Sequence, residues 1–229
     1  YRKQQDGQPP EKRLPTPLVS DALRAQLGDS ETRRIRYRRH PDPLGLDALL
    51  DFLAVLPGPR VAIFNTVQTA AVVARALAEK SGRGNVEHLS TALNPSDRVE
   101  TLSRIKARLA DNHDQDWTLV ATSLVEAGVD LSFRSGVREA ASLASLLQLG
   151  GRVNRHNKYD AADVWSVTLR QGAGIQQHPA MRASIGVLEK LFKRDRVSPD
   201  SCTEALRLEV REKGNPELVN TLFRMESVK

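Results

Sequence analysis

The chain has 229 residues, room for one ordinary domain or one domain with arms. Its 40% hydrophobic and 27% charged content excludes wholesale disorder and collagen-like architectures, and no run approaches the roughly 18 apolar residues of a membrane-spanning helix. The formal charge is +6, yet residues 1–40 hold ten Lys or Arg against five acids, while 41–170 hold 14 against 15 and 171–229 ten against eight. Arg33, Arg34, Arg36, Arg38 and Arg39 concentrate the excess. Such a basic arm suits an anionic partner such as nucleic acid, and equally suits a solvated edge strand. The single cysteine, Cys202, excludes an internal disulfide framework and fits a reducing, cytoplasmic setting. The opening Tyr1-Arg2-Lys3 lacks both an initiator Met and an apolar signal core, so it reads as a cut inside a longer chain.

In chain order, Pro9, Pro10, Pro15 and Pro17 mark a polar start with one short helix expected over Pro17–Leu27. Thr32–His40 reads as extended, and Pro41 and Pro43 then break the chain. Leu44, Leu46, Leu49, Leu50, Leu53 and Leu56 recur at helical spacing, predicting an amphipathic helix over Gly45–Val55. From there strands and helices alternate. Arg60–Asn65 is a short apolar run of the kind that makes a buried parallel strand. Thr66 can cap the following helix, whose stripe is Val67, Ala70, Ala71, Val73, Ala74 and Leu77. Val86–Leu89 is a second strand, Ser96–Leu109 a helix, Trp117–Thr122 a third strand, and Gly136–Arg138 the start of a fourth. Ala141–Arg155 reads as helix and Asp163–Thr168 as a last strand. Repeated βα units with short connections imply a parallel sheet covered on both faces. Beyond Gly174 only helices are expected: Met181–Phe192, Ser201–Lys213 and Pro216–Met225.

Two segments carry chemistry. In the first, the strand ending at Thr122-Ser123 leads into a turn crowded by Glu126, Gly128 and Asp130, at the edge where open α/β sheets bind ligands. Thr and Ser hydroxyls bond phosphate or sugar groups, Gly128 allows close backbone approach, and Asp130 suits a ribose hydroxyl or the orienting of an arginine. The second segment runs from Gln148 to His156. It is expected to place Arg152 and Arg155 on one helix face, with Gln148 one turn earlier. Gly150 and Gly151 cost roughly 1 kcal/mol each inside a helix, which argues for a close approach there. Paired guanidiniums match phosphate oxygens and serve as arginine fingers in phosphoryl transfer. His113-Asp114 lies in a polar loop without clustered histidines, so no metal centre is expected.

QLGGRVNR and ATSLVEAGVD, in that spatial order reversed along the chain, resemble the sixth and fifth motifs of superfamily 2 helicases, in their second RecA-like lobe. VAIFNTVQTA, ending its strand at Asn65-Thr66, looks like the fourth motif, and LSTALNPSDRVETL, with Ser90 and Asp97-Arg98, is similar to the segment after it. Asn154 within GRVNRH, Glu126 before Gly-x-Asp and the Asp97-Arg98 pair resemble the CRISPR-associated helicase–nuclease of type I interference systems. The resemblance covers roughly residues 60–170.

What the resemblance implies is a RecA-like parallel sheet over residues 44–170, preceded by a basic interlobe segment (1–43) and followed by a helical extension (171–229). It implies the second motor lobe of an ATP-dependent DNA helicase, inactive alone. Arg152 and Arg155 are the implied catalytic residues, and Gln148, Gly128 and Asp130 join them around ATP. Asn65, Thr66, Ser90, Arg98, Thr122, Ser123 and Glu126 are the implied contacts to single-stranded DNA. ATP and Mg²⁺ would be held mainly by a first RecA-like lobe, because no Gly-Lys dipeptide and no adjacent Asp-Glu pair occur here. A CRISPR RNA-guided surveillance complex is a further implied partner, and no membrane is. Two alternatives share parts of this reading: another superfamily 2 RNA or repair helicase, and a non-catalytic RecA-like module that binds nucleic acid.

Overall fold

The computed structural model describes residues 20–126, 130–172 and 174–212. Gly128, the expected helix Pro216–Met225 and the first residues of the expected helix Pro17–Leu27 lie outside them. Among the described residues six strands form one parallel sheet: β1 (Ile35–Arg39), β2 (Arg60–Phe64), β3 (Val86–Leu89), β4 (Thr118–Thr122), β5 (Ser135–Glu139) and β6 (Ala162–Val167). Their order is β1-β6-β5-β2-β4-β3.

Every residue of β2, β4 and β5 is buried, as strands covered on both faces must be. Alternate side chains serve opposite cores. Ala62 and Phe64 join Leu49, Leu53, Val73 and Leu77 beneath α2 (Leu46–Val55) and α3 (Val67–Ser81). Val61 and Ile63 join Ile105, Leu146 and Leu188 on the face covered by α4 (Pro95–Ala110), α5 (Leu143–Gly150) and α6 (Arg182–Lys193). Full burial of each such side chain contributes about 1.5–3 kcal/mol. The last described helix, α7 (Cys202–Glu212), packs on α6, where the buried Ser184 hydroxyl donates to Glu209 at 2.7 Å.

The chain leaves β2 for β3, returns to β4, then crosses to the far side of β2 for β5 and β6. This reversal opens a crevice at the carboxyl ends of β2, β4 and β5. Three helices begin at that edge under side-chain caps. Thr66 accepts from the Thr69 amide at 3.0 Å, Asn94 from Asp97 at 2.8 Å, and Ser142 from Ser145 at 3.1 Å.

Three expectations change. The first helix, α1 (Asp21–Arg34), continues seven residues beyond Leu27, through the start of the segment read as extended. The strand glimpsed at Gly136–Arg138 is β5, a central strand that carries two buried charges at its end. The helix expected over Ala141–Arg155 stops at Gly150.

Candidate functional site

α5 ends because Gly150-Gly151 is followed by Asn154, whose φ of 46° is left-handed and cannot continue a helix. Arg152 and Arg155 therefore stand in a turn, not on one helix face. The turn is locked to the chain entering β5: Phe133 donates its amide to Arg152 O at 2.8 Å, and Asn154 donates to Phe133 O at 2.7 Å. Asn154 is itself buried. Its amide nitrogen donates to Tyr159 O (2.8 Å) and Arg34 O (3.3 Å), and its oxygen accepts from Tyr159 N (3.1 Å).

The two arginines have different surroundings. Arg152 donates through Nε to Val125 O and through Nη2 to Glu126 O, each at 3.1 Å, so it clamps the turn that follows β4. Partial burial, with Arg155 nearby, lowers its guanidinium pKa, against the opposing pull of Asp130. Arg155 is exposed and pairs with exposed Asp130 at 3.1 Å. Gln148 is exposed on the last turn of α5.

The close approach expected at the glycine pair is real at Gly150, but its partner is internal. A Cβ at Gly150 would lie 2.0 Å from the Tyr37 hydroxyl. Tyr37 donates to Glu31 at 3.0 Å, and Arg34 donates to Gly150 O at 3.1 Å and to Val153 O. Helix α1 and strand β1, expected from the sequence to lie in a separate segment (1–43) although β1 supplies an edge of the same sheet, are thus fastened to the arginine turn. The arginines of β1 are also engaged: Arg36 and Arg38 converge on one oxygen of Asp163, at 2.9 and 2.8 Å, and Arg39 lies 3.8 Å from Glu189. The edge-strand reading of this basic run describes β1, which pairs in parallel with β6.

At the carboxyl end of β5, joined to the arginine turn through Glu126, is a buried charge cluster whose Arg138 and Glu139 sequence reasoning missed. Arg138, at the end of β5, is 2% exposed and lies 2.8 Å through Nε from the Glu126 carboxylate. Its Nη1 donates to Asn65 Oδ1 at 2.7 Å and to Glu139 O at 3.1 Å. Asn65 donates its backbone N–H to the Glu139 carboxylate (2.8 Å) and its side-chain amide to Ala140 O (2.9 Å). Burial raises the carboxyl pKa of Glu126, with Arg138 pulling it down. Burial likewise raises Glu139, which the Asn65 amide and Arg138 lower. Burial lowers the Arg138 guanidinium, and the two glutamates oppose the change. The sequence signal was the Arg-Glu pair closing an otherwise uncharged strand beside a ligand-binding edge.

The remaining candidates line the same edge. Ser90 follows β3 and is fully buried, Thr122 ends β4 and is buried, and Ser123 after it is exposed. Among the described residues neither the Ser90 nor the Thr122 hydroxyl has a hydrogen-bond partner, and nor does Arg98 Nε. Arg98 also donates to Leu93 O at 3.0 Å. Asn65 and Thr66 are spent on internal partners, and Glu126 is ion-paired with Arg138 although, among the described residues, neither its Oε1 nor Arg138 Nε has a hydrogen-bond partner. Among the described residues no group of three or more His, Cys, Asp or Glu is placed to hold a metal, and no helix is long and apolar enough to cross a membrane.

Known proteins are similar to this chain in sequence over part of its length and in fold. Residues 58–158 match the family model described as CRISPR-associated nuclease/helicase Cas3, C-terminal. A 73-residue stretch is 38% identical to the CRISPR-associated nuclease/helicase Cas3 of Haloferax volcanii, covering 31% of this chain and 7% of that protein. The fold is similar to T. fusca Cas3 with AMPPNP, with TM-score 0.60, 17% identity, and coverage of 85% of this chain and 26% of that one. It is also similar to a chain of a CRISPR RNA-guided surveillance complex, pre-nicking, with TM-score 0.54, 18% identity, and coverage of 84% and 27%. The chain thus spans about a quarter of the length of these solved relatives. Residues 58–158 are thus similar in sequence to the C-terminal part of Cas3, and the six-stranded parallel sheet with flanking helices is the RecA-like fold.

Proposed function

We propose that this chain is the second motor lobe of an ATP-dependent DNA helicase of the CRISPR-associated type I interference kind. In this reading it completes an ATP site whose triphosphate seat and Mg²⁺ ligands belong to a first RecA-like lobe. One observation carries it: Arg152 and Arg155 share a rigid turn locked to the chain entering β5, one arginine clamping the 123–126 turn, the other exposed beside Asp130. Guanidiniums there fit the donor chemistry a γ-phosphate needs, with Gln148 and Asp130 at its margins. ATP supplies the phosphoryl group and the free energy of translocation. The chain's own contribution is to place Arg155 at the rim and hold it against Asp130.

Strand binding is read along the same edge. Arg98 and the capped starts of α3 and α4 suit phosphate oxygens, while the unpartnered Ser90 and Thr122 hydroxyls are buried and would reach a phosphate only once that edge opens. Thr66 and Ser123 lie beside them, whereas Asn65 and Glu126 act by holding that edge in shape. Phosphate contacts carry no sequence information, as a motor requires. A CRISPR RNA-guided surveillance complex would recruit the whole enzyme.

The deciding experiment is ATP turnover in the complete helicase. Arg155→Ala should lower it by roughly 10³-fold or more, with the melting temperature unchanged. The 229-residue chain alone should show no Mg²⁺-dependent turnover. A complete enzyme that kept near-normal turnover without Arg155 would sink the assignment.

A further inference from the structure

The buried cluster at the end of β5 raises a physical question. Two carboxylates and one guanidinium, all at most 9% exposed, sit among apolar strands. Withdrawing each ion from water costs several kcal/mol, and apolar residues of similar shape are often as stable or better. Stability alone therefore does not explain the cluster, but its connections offer another account.

We propose that Arg138 is a positioning residue that couples the two ends of this site, holding the 123–126 turn through Glu126 and the start of α3 through Asn65. The proposal rests on the helicase-lobe reading above. At one end, Arg152 bonds Val125 O and Glu126 O, so any shift of that arginine is felt by the turn carrying the Glu126 carboxylate. That carboxylate lies 2.8 Å from Arg138 Nε. At the other end, Arg138 Nη1 donates to Asn65 Oδ1, and Asn65 immediately precedes Thr66, the cap of α3. Asn65 has two further bonds, to Glu139 and Ala140, so it cannot rotate freely to absorb a displacement. The chain of contacts runs from arginine turn to strand edge without a gap.

A planar guanidinium is suited to this task. Its rigid plane sets Nε against the Glu126 carboxylate as an ion pair while Nη1 donates to Asn65, whereas a lysine ammonium is a compact point charge on a flexible stem. Arg138→Lys keeps the buried positive charge but breaks the two-ended geometry. Arg138→Met removes both.

The test uses the complete helicase, with ATP turnover measured with and without a mixed-sequence single-stranded oligonucleotide. Oligonucleotide Kd is measured with and without a non-hydrolysable ATP analogue, and melting is followed alongside. For folded Arg138→Met and Arg138→Lys, the stimulation by oligonucleotide should fall at least about fivefold. The effect of the analogue on oligonucleotide Kd should shrink in step, since coupling between binding sites is reciprocal. A purely structural role would lower stimulated and unstimulated turnover in proportion and leave the ratio intact. Either folded variant with the wild-type ratio overturns the proposal. A wild-type enzyme without turnover overturns the helicase reading itself, a result separable from the behaviour of Arg138.

Discussion

Single positions in this lobe are tied to identifiable atoms, and that makes their substitutions predictable. At Gly150 an added methyl meets the Tyr37 hydroxyl at 2.0 Å and its ring carbon Cζ at 2.8 Å. The hydroxyl is held protonated by burial, and the Glu31 charge adds to the effect. Gly150→Ala should therefore cost about 1–3 kcal/mol in a urea melt, the usual range for overpacking. Adding Tyr37→Phe should restore only part of it, since the ring remains; a neutral Gly150→Ala would show that the contact is not there. His88 supplies a pH dependence. Burial lowers its pKa below the ordinary 6.5, although the bond to Val120 O at 3.1 Å pulls the other way. The unfolded ring takes up its proton near pH 6.5 while the folded ring resists, so stability is full above that pH and falls below it. His88→Gln should flatten the fall in melts below about pH 6.5, where one such group contributes at most about 1.4 kcal/mol per pH unit.

The arginine turn shows how one short element divides its labour. Arg152 bonds two carbonyls of the neighbouring turn, and hydrogen bonds from charged groups contribute about 1.5–3 kcal/mol each when buried. Half-buried here, Arg152→Ala should lower stability by about 1–3 kcal/mol. Arg155 pairs with an exposed Asp130, a kind of pair that contributes about 0–1 kcal/mol, so Arg155→Ala should leave the melt almost unmoved. Equal stability losses in the two variants would refute that division. The contrast was not legible in the sequence, where both arginines read as one helix face. The stop signals were present, Gly150-Gly151 and then Asn154, but they competed with the leucine spacing of Leu143, Leu146, Leu147 and Leu149. Caps at Thr66 and before Ser96, and the apolar runs of β2 and β4, were legible because each depends on neighbours in the chain. β5 was only glimpsed, since Arg138 and Glu139 look like solvent-facing charges until Asn65 and Glu126 are brought to them from 73 and 12 residues away. Such pairing is a property of the sheet order, which no local pattern carries.

On the scale of the whole molecule, the charge excess and the candidate strand edge sit at opposite ends of the sheet. β1, with its arginines, is one edge strand and β3, leading to Ser90, is the other. With strands about 4.8 Å apart, five spacings put them roughly 24 Å from each other. Arg36 and Arg38 are also already paired with Asp163, whereas Arg98, in the first turn of α4, donates to Leu93 O and keeps Nε without a partner among the described residues. Deleting residues 1–40 would remove α1 and β1 and untie the arginine turn, so point substitutions are the cleaner probe. The isolated chain should bind single-stranded oligonucleotides weakly, without sequence preference, and with affinity that falls steeply with salt. Arg98→Ala should reduce the slope of log affinity against log salt by about 0.7, the value of one phosphate contact on a single strand. Arg36→Ala with Arg38→Ala should leave that slope unchanged, because both guanidiniums are engaged by Asp163 on the opposite edge of the sheet from the track. If the double variant instead loses the salt dependence and Arg98→Ala keeps it, the strand runs over β1 and the basic segment is its principal contact. An affinity indifferent to salt, or strong preference for one sequence, would point to base readout and away from a motor lobe.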